Sequence, residues 1–467
     1  MEILPQGREA WAEKSRDGYS NGVMRDTRRE QLAAAVIFLV ALNLRPAIIA
    51  VGPLLSQIGT SLGWGESLLG LLGSLPLLAF AALSFLVRYI TDRFDTDKVL
   101  LAALVLLAGG CVLRSACGAT GVWIGTVIIG GSIAVGNVLA PAIVKRDYPE
   151  HIAMATGAYS AFVTTGSAIA GLTASALADA LGGWREALAF WAIPALIAAL
   201  LWFQKMRGQE KNALESCQAN GASEGEQPLD DKCKVDCADG TTNAACEAEG
   251  TAVEIASTAH ETAAVDDGNA TRRSSASAPA PLWKRPTTWL VTLFMGLQSA
   301  AFYTFSNWLP SFSVAAGYTS TEAGLHLFLF QIIGTFAGLA IPRFMYIRGN
   351  QITAGLIASA PLLIAALGWL LFPQLTLLWS IIGGIGQGSS LVVALTLISL
   401  RGTGHAETVA LSGIAQSFGY LLAACGPAIF GVLLEVTGTF TCPLIFMIAL
   451  ALCQCSLCFV VGKTPKR

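Results

Sequence analysis

The chain has 467 residues, of which 54% are hydrophobic and 13% charged, with a mean hydropathy of +0.60. Such a balance excludes a soluble globular protein, whose charged share lies near a quarter, and places the chain in a bilayer. The net charge of −2 gives no footing for a nucleic-acid partner, and it conceals a strong asymmetry along the chain.

Residues 1–30 are charged and polar with no apolar core, so they are expected to form a cytoplasmic tail with no cleavable signal peptide. Apolar runs of membrane-spanning length follow at 31–56, 68–92, 98–117, 121–144, 152–178 and 186–206, then at 287–311, 322–346, 351–371, 375–400, 408–434 and 440–462. The expected architecture is an all-α membrane protein of twelve transmembrane helices. Six lie in a bundle over 31–206 and six in a bundle over 286–463, with a linker at 207–285 and a tail at 464–467. Of the 29 lysines and arginines, 26 fall on one side if the spans alternate, which makes both termini and the linker cytoplasmic. The three others are Arg45 within the first span and Arg114 and Arg185 near the opposite face.

The first span reads LAAAVIFLVALNLRPAIIAVGPLL over Leu32–Leu55. Arg45 stands roughly 20 Å from one end and about 15 Å from the other at 1.5 Å per residue, near mid-bilayer. A guanidinium at that depth costs at least about 2.5–3.5 kcal/mol, so it is expected to face a cavity or a partner and not lipid. Pro46 removes the donor for the Leu42 carbonyl and should bend the helix at the charge. Arg45 is the prime candidate for binding a solute, through a planar fork of donors suited to carboxylate-like or nitro groups. Asn43, two residues earlier, is turned about 200° away, and joins Arg45 at a ligand only if the Pro46 bend reorients it.

Between Gly208 and Leu282 there are fourteen acids and five bases, a net −9 in a segment rich in small and polar residues. It buries too little apolar surface to offset its ordering entropy and is expected to be disordered. Its Cys233 and Cys237 form a loose pair that does not amount to a metal clip, and the seven cysteines in or beside spans read as small apolar fillers.

In the second half, Tyr303, Asn307 and Pro310 share one helix face, whereas Gln298 points elsewhere by the same count; all three polar residues are kept as candidate lining. Asn137, Gln331, Gln387, Gln416 and Tyr420 are the other polar groups inside spans. Asn137, Gln387, Gln416 and Tyr420 join the candidate solute contacts, against the alternative of ordinary interhelical hydrogen bonds. His326 is the candidate for proton coupling. Asp179, Glu186, Glu407 and Glu435 all fall near span ends, so carboxylate-based proton symport has no obvious carrier.

The two groups of six resemble each other. Gly157, Gly171, Asp179, Gly182 and Trp184 find Gly413, Pro427, Glu435, Gly438 and Phe440 at an offset of 256. Gly63-Trp64 and Gly70 match Gly317-Tyr318 and Gly324 at 254, Gly130-Gly131 matches Gly383-Gly384 at 253, and Arg93-Phe94 matches Arg343-Phe344 at 250. The shared order argues for a duplicated six-helix unit with a solute path between the halves.

This layout resembles the major facilitator superfamily, and the loop Arg88 to Lys98 is similar to that superfamily's G-x-L-a-D-R-x-G-R motif, although Arg88 and Asp95 replace small residues. The resemblance implies a gating role for Asp92 and Arg93, with Pro46 as a hinge in the first span. Asn43-Leu44-Arg45-Pro46, Val51-Gly52-Pro53-Leu54-Leu55, Gln298, Phe302-Tyr303 and Asn307-Trp308-Leu309-Pro310 resemble the cyanate and nitroimidazole transporter family over nearly the whole chain outside the tails and linker. The resemblance implies a bacterial inner-membrane permease, working as a monomer in the lipid bilayer, that carries a small anionic or nitro-bearing solute.

Four scattered histidines (His151, His260, His326, His405) make no metal cluster or nucleophile–base pair, and no P-loop or dinucleotide fingerprint is present. An enzyme and a cofactor are therefore not expected. Two alternatives remain: an efflux permease for drugs or nitroaromatics, which shares every feature above, and a non-transporting sensor using the acidic linker as its output. Deleting Gly208–Leu282 separates the sensor, which loses its signalling arm, from a transporter, which keeps its flux.

Overall fold

The computed structural model describes residues 35–91, 93–148, 152–223, 282–345, 347–402 and 405–463. The chain divides into two compact units, Met1–Gln209 with Leu282–Arg467, and Glu210–Pro281. In the smaller unit the described residues are the end of a helix that stops at Ser223.

Among the described residues, twelve long helical segments make the larger unit, the sixth of them running on past Gln209. In chain order they are α1 (Ala35–Leu62), α2 (Glu66–Thr91), α3 (Thr96–Ala116), α4 (Gly118–Asp147), α5 (Ile152–Leu181) and α6, which starts at Trp184–Phe190 and continues as Ala192–Ser223. The second set is α7 (Pro286–Ala315), α8 (Ser320–Ala340), α9 (Ile352–Leu371), α10 (Thr376–Arg401), α11 (His405–Thr437) and α12 (Thr441–Val461). Eleven are long and apolar enough to cross a membrane on composition alone. The exception is α7, whose Thr, Ser, Gln and Asn residues lower its hydropathy while 22 of its 30 residues are buried. A helix covered on nearly all sides by protein does not need a lipid-compatible surface, so α7 is polar because it is central.

The sequence repeat returns as geometry. Gly63 and Gly317, which follow α1 and α7, have φ of 68° and 98°, and Gly182 and Gly438, after α5 and α11, have 102° and 64°. Only glycine adopts that left-handed region without strain, so both copies keep it at the same turns. The crossings between the halves repeat as well. A Cβ on Gly70 of α2 would lie 2.5 Å from the Pro427 carbonyl oxygen of α11, and one on Gly324 of α8 would lie 3.0 Å from the Gly171 oxygen of α5. Gly70 corresponds to Gly324 and Pro427 to Gly171, so these are one contact made twice. Both lie near the far end, opposite the end at which the chain enters α1. There the Glu435 carboxylate also accepts from the Ser67 backbone N–H across the halves at 2.6 Å. Gly157 and Gly413, another repeated pair, lie nearer the entry end, and a Cβ on either meets nothing within 4 Å.

The entry end carries the basic residues. Asp95 caps α3 by accepting from the Asp97 N–H at 2.8 Å, while Asp97 itself pairs with Arg146 at 2.8 Å and Asp147 pairs with Lys205 at 2.5 Å. Burial opposes the Arg146 charge, but the hydrogen bonds to Asp97 and Asp147 outweigh it and hold the guanidinium above its ordinary pKa. This network ties α3, α4 and α6 of the first half. Of the expected gating pair, Asp92 lies outside the described residues and Arg93 is exposed in the turn after α2. The acids whose contacts are defined in this loop are Asp95 and Asp97, which the motif did not single out.

Candidate functional site

Arg45 owes its position to a broken helix. Residues 35–43 are helical, Leu44 and Arg45 form a turn, and the chain resumes as Pro46–Ile49, a 3-10 turn at Gly52–Leu54 and a helix at Leu55–Leu62. Pro46 cannot donate to Leu42, and the freed Leu42 carbonyl lies against Gly166 of α5, where a Cβ would collide with it. The break settles the rivalry between neighbours. Asn43 stays on the first segment and gives its Nδ2 to the Leu39 carbonyl at 2.8 Å, whereas Arg45 turns into a cavity between the halves.

That cavity has a volume of about 290 Å³ and takes its walls from α1 and α5 of one half and α7, α8, α10 and α11 of the other. Arg45 lies 5.2 Å from the centre of the Phe302 ring, a cation–π contact. Phe302 meets Tyr303 edge-on at 4.9 Å, and Tyr420, which also lines the cavity, is backed edge-on by Phe80 of α2 at 5.4 Å, so second-half aromatic rings form the wall on the side of the charge. Tyr159 is also within electrostatic reach of Arg45. Three amides line the same space. Gln298 donates to the Ser299 hydroxyl at 2.7 Å and receives Gln387 Nε2 at 3.5 Å, while both polar atoms of Gln331 and the Nε of Arg45 meet no protein partner among the described residues. The described lining contains no carboxylate, histidine or lysine. The guanidinium therefore faces the cavity with aromatic walls and neutral amides around it, an arrangement whose chemistry suits an electron-rich planar group better than a cation.

Five of the sequence candidates meet here: Arg45, Gln298, Tyr303, Gln387 and Tyr420. Gln298 lines the cavity although the helical count turned it away from Tyr303, because the cavity wraps around the first part of α7. Four candidates lie elsewhere. Asn43 is bonded within its own helix, Gln416 gives its Nε2 to Ser412 at 2.9 Å, and Asn137 is half-buried in α4 outside the lining. Asn307 shares the Tyr303 face but one turn further on, where it borders a separate small cavity. His326 is buried at the far end, with Nδ1 3.1 Å from the Ser313 hydroxyl and its ring edge-on to Tyr318, away from the solute cavity.

The sequence reading missed the hydroxyl residues of the lining. Ser160 and Thr164 on α5, and Thr335 one turn after Gln331 on α8, form polar stripes at i, i+4 that face the cavity. Their spacing was the available signal, masked because hydroxyls in membrane helices usually bond their own backbone, as Thr164 does to the Ser160 carbonyl at 3.0 Å.

Among the described residues, twelve long helices in two related halves, with a mainly apolar cavity between the halves into which a guanidinium and neutral amides project, have the build of a multi-pass membrane carrier of small molecules. The chain belongs to the Major Facilitator Superfamily, whose family model matches residues 34–401, and to its cyanate and nitroimidazole transporter branch. It is 31% identical to the 2-nitroimidazole transporter of Escherichia coli (strain K12) over 92% of this chain and 95% of that protein. It is 22% identical to the cyanate transport protein CynX of the same organism over 87% of this chain and 90% of that one. Among solved structures, the nucleoside transporter NupG (D323A mutant) superposes with a TM-score of 0.66 at 12% identity, covering 93% of this chain and all of that one (100%). These relatives are transporters, not enzymes.

Proposed function

We propose that the protein is a secondary active transporter of a small anionic or nitro-bearing solute, which Arg45 anchors between the two halves. The observation that carries this reading is a guanidinium lining the inter-half cavity with no carboxylate among the described residues of the lining. A cavity of about 290 Å³ suits a cyanate-sized anion with water or a single nitro-heterocycle. The names of the relatives point to the same two solute classes. In this reading the entry end faces the cytoplasm, as its basic residues favour, and the solute leaves or enters the cavity there while the glycine crossings keep the far end shut. The acidic segment 207–285 is a cytoplasmic linker between the bundles, and a single chain is the functional unit.

The test is uptake and efflux of labelled cyanate, benzoate and 2-nitroimidazole in proteoliposomes, with and without a pH gradient. Arg45→Ala is expected to insert normally and lose transport of whichever solute the wild type carries. Equal rates in the two proteins reject the anchor.

A further inference from the structure

One turn beyond Arg45's aromatic wall, Tyr303 also borders a second cavity, of about 20 Å³, enclosed by α1, α2, α3, α4 and α7. Its charged wall is Arg114, which is 1% exposed. The break in α1 explains how that side chain is held. Past Pro46 the Val51 N–H bonds Ile48 and not Ala47, and the unclaimed Ala47 carbonyl accepts from Arg114 Nη1 at 2.7 Å. Nε and Nη2 of Arg114 meet no protein partner among the described residues, and neither do Thr126 Oγ1, Ser306 Oγ and Asn307 Nδ2 around the same cavity. Asn307 is pressed flat on α2, since a Cβ on Gly73 would lie 2.7 Å from its Cγ.

A guanidinium, two hydroxyls and an amide N–H₂ thus converge on one small space whose described walls contain no carboxylate. A buried positive charge left without a counter-charge is costly in a membrane, and these groups are donors or can act as donors. A cation is repelled. A water molecule can give its hydrogens to the two hydroxyls but leaves the guanidinium charge unbalanced, whereas a monatomic anion accepts from every group at once and neutralises it. The volume admits one small guest, of the size of a water or a single ion, and leaves no room for a nitro-heterocycle. Arg114 and Thr126 belong to the first half, and Ser306 and Asn307 to the second.

We propose that this cavity is a binding site for a monatomic inorganic anion, chloride under ordinary conditions. Arg114, Thr126, Ser306 and Asn307 hold the ion, which ties α3 and α4 to α7 and stabilises the conformation closed at the far end. The site is separate from the solute cavity and does not depend on which solute Arg45 receives.

The experiment uses the full-length protein in detergent. Its thermal unfolding midpoint is followed while sodium chloride or sodium bromide replaces sodium gluconate at constant ionic strength, and bromide-soaked crystals are searched for anomalous scattering. The expected result is a saturable rise in midpoint with either halide, and an anomalous peak between Arg114 and Asn307. Half-saturation should move up by about tenfold or more in Thr126→Val/Ser306→Ala, which leaves the Ala47 contact intact. Identical midpoints in all three salts, a halide effect unchanged in the double variant, or a bromide-free site overturns the proposal. If the double variant fails to fold, Ser306→Ala alone and the anomalous measurement on the wild type decide it.

Discussion

Arg45 and Arg114 stand on either side of Tyr303, both drawn to the break that Pro46 makes in α1, and they meet different surroundings. Arg45 is half-buried against Phe302 and looks into a cavity large enough for a solute. Arg114 is wholly enclosed, bonded to the Ala47 carbonyl, and borders a space the size of one small ion. The difference teaches that an intramembrane charge is not by itself a solute site. The volume in front of it and the backbone groups beside it decide whether it recognises cargo or secures the scaffold.

Substitutions that exchange these roles should separate them. The largest effect on stability is expected from Arg114→Ala, which leaves the Ala47 carbonyl without its donor inside the protein. A loss of about 1–3 kcal/mol is expected, read as a lower unfolding midpoint in detergent, with solute affinity changing far less. Next comes Gly324→Leu, whose side chain must force α8 away from the Gly171 carbonyl. Overpacking of this kind costs about 1–3 kcal/mol. Here it should fall on the far-end closure, so that flux drops while solute binding persists in equilibrium dialysis. Phe302→Leu removes the ring under Arg45 and is expected to weaken solute affinity by about three- to fivefold, the scale of one partly solvated cation–π contact. The smallest change is expected from His326→Gln. Because the imidazole lies at the far end with Ser313 and outside the solute cavity, the pH profile of transport should keep its shape. A lost or displaced pH optimum in that variant would restore the histidine as a proton carrier.

Much of the fold was legible because membrane burial writes itself into composition. Apolar runs located the spans, and the order of glycines exposed the duplication, since left-handed turns and backbone-tight crossings admit few other residues. The site was legible in part. Arg45 announced itself by its cost, and Tyr303 by its helix face. Helical arithmetic turned Asn43 away from Arg45, and there it remains on the first segment of α1, but the same count failed at Gln298, which lines the solute cavity, and at Asn307, because a single face of α7 serves two cavities in succession. Arg114 was read as a residue near the membrane surface from its place at the end of α3. Its enclosure depends on how α1, α4 and α7 pack around that end, which no local pattern records.

The most direct measurement of the central claim is solute binding to purified wild type, Arg45→Lys and Arg45→Ala, by titration calorimetry at fixed chloride. The account expects affinity to fall about ten- to a hundredfold in Arg45→Ala, the scale of a charge-assisted hydrogen-bonded contact, with Arg45→Lys between the two and all three unfolding at similar temperatures. Wild-type affinity in Arg45→Ala would contradict it and move recognition to the amides of Gln298, Gln331 and Gln387.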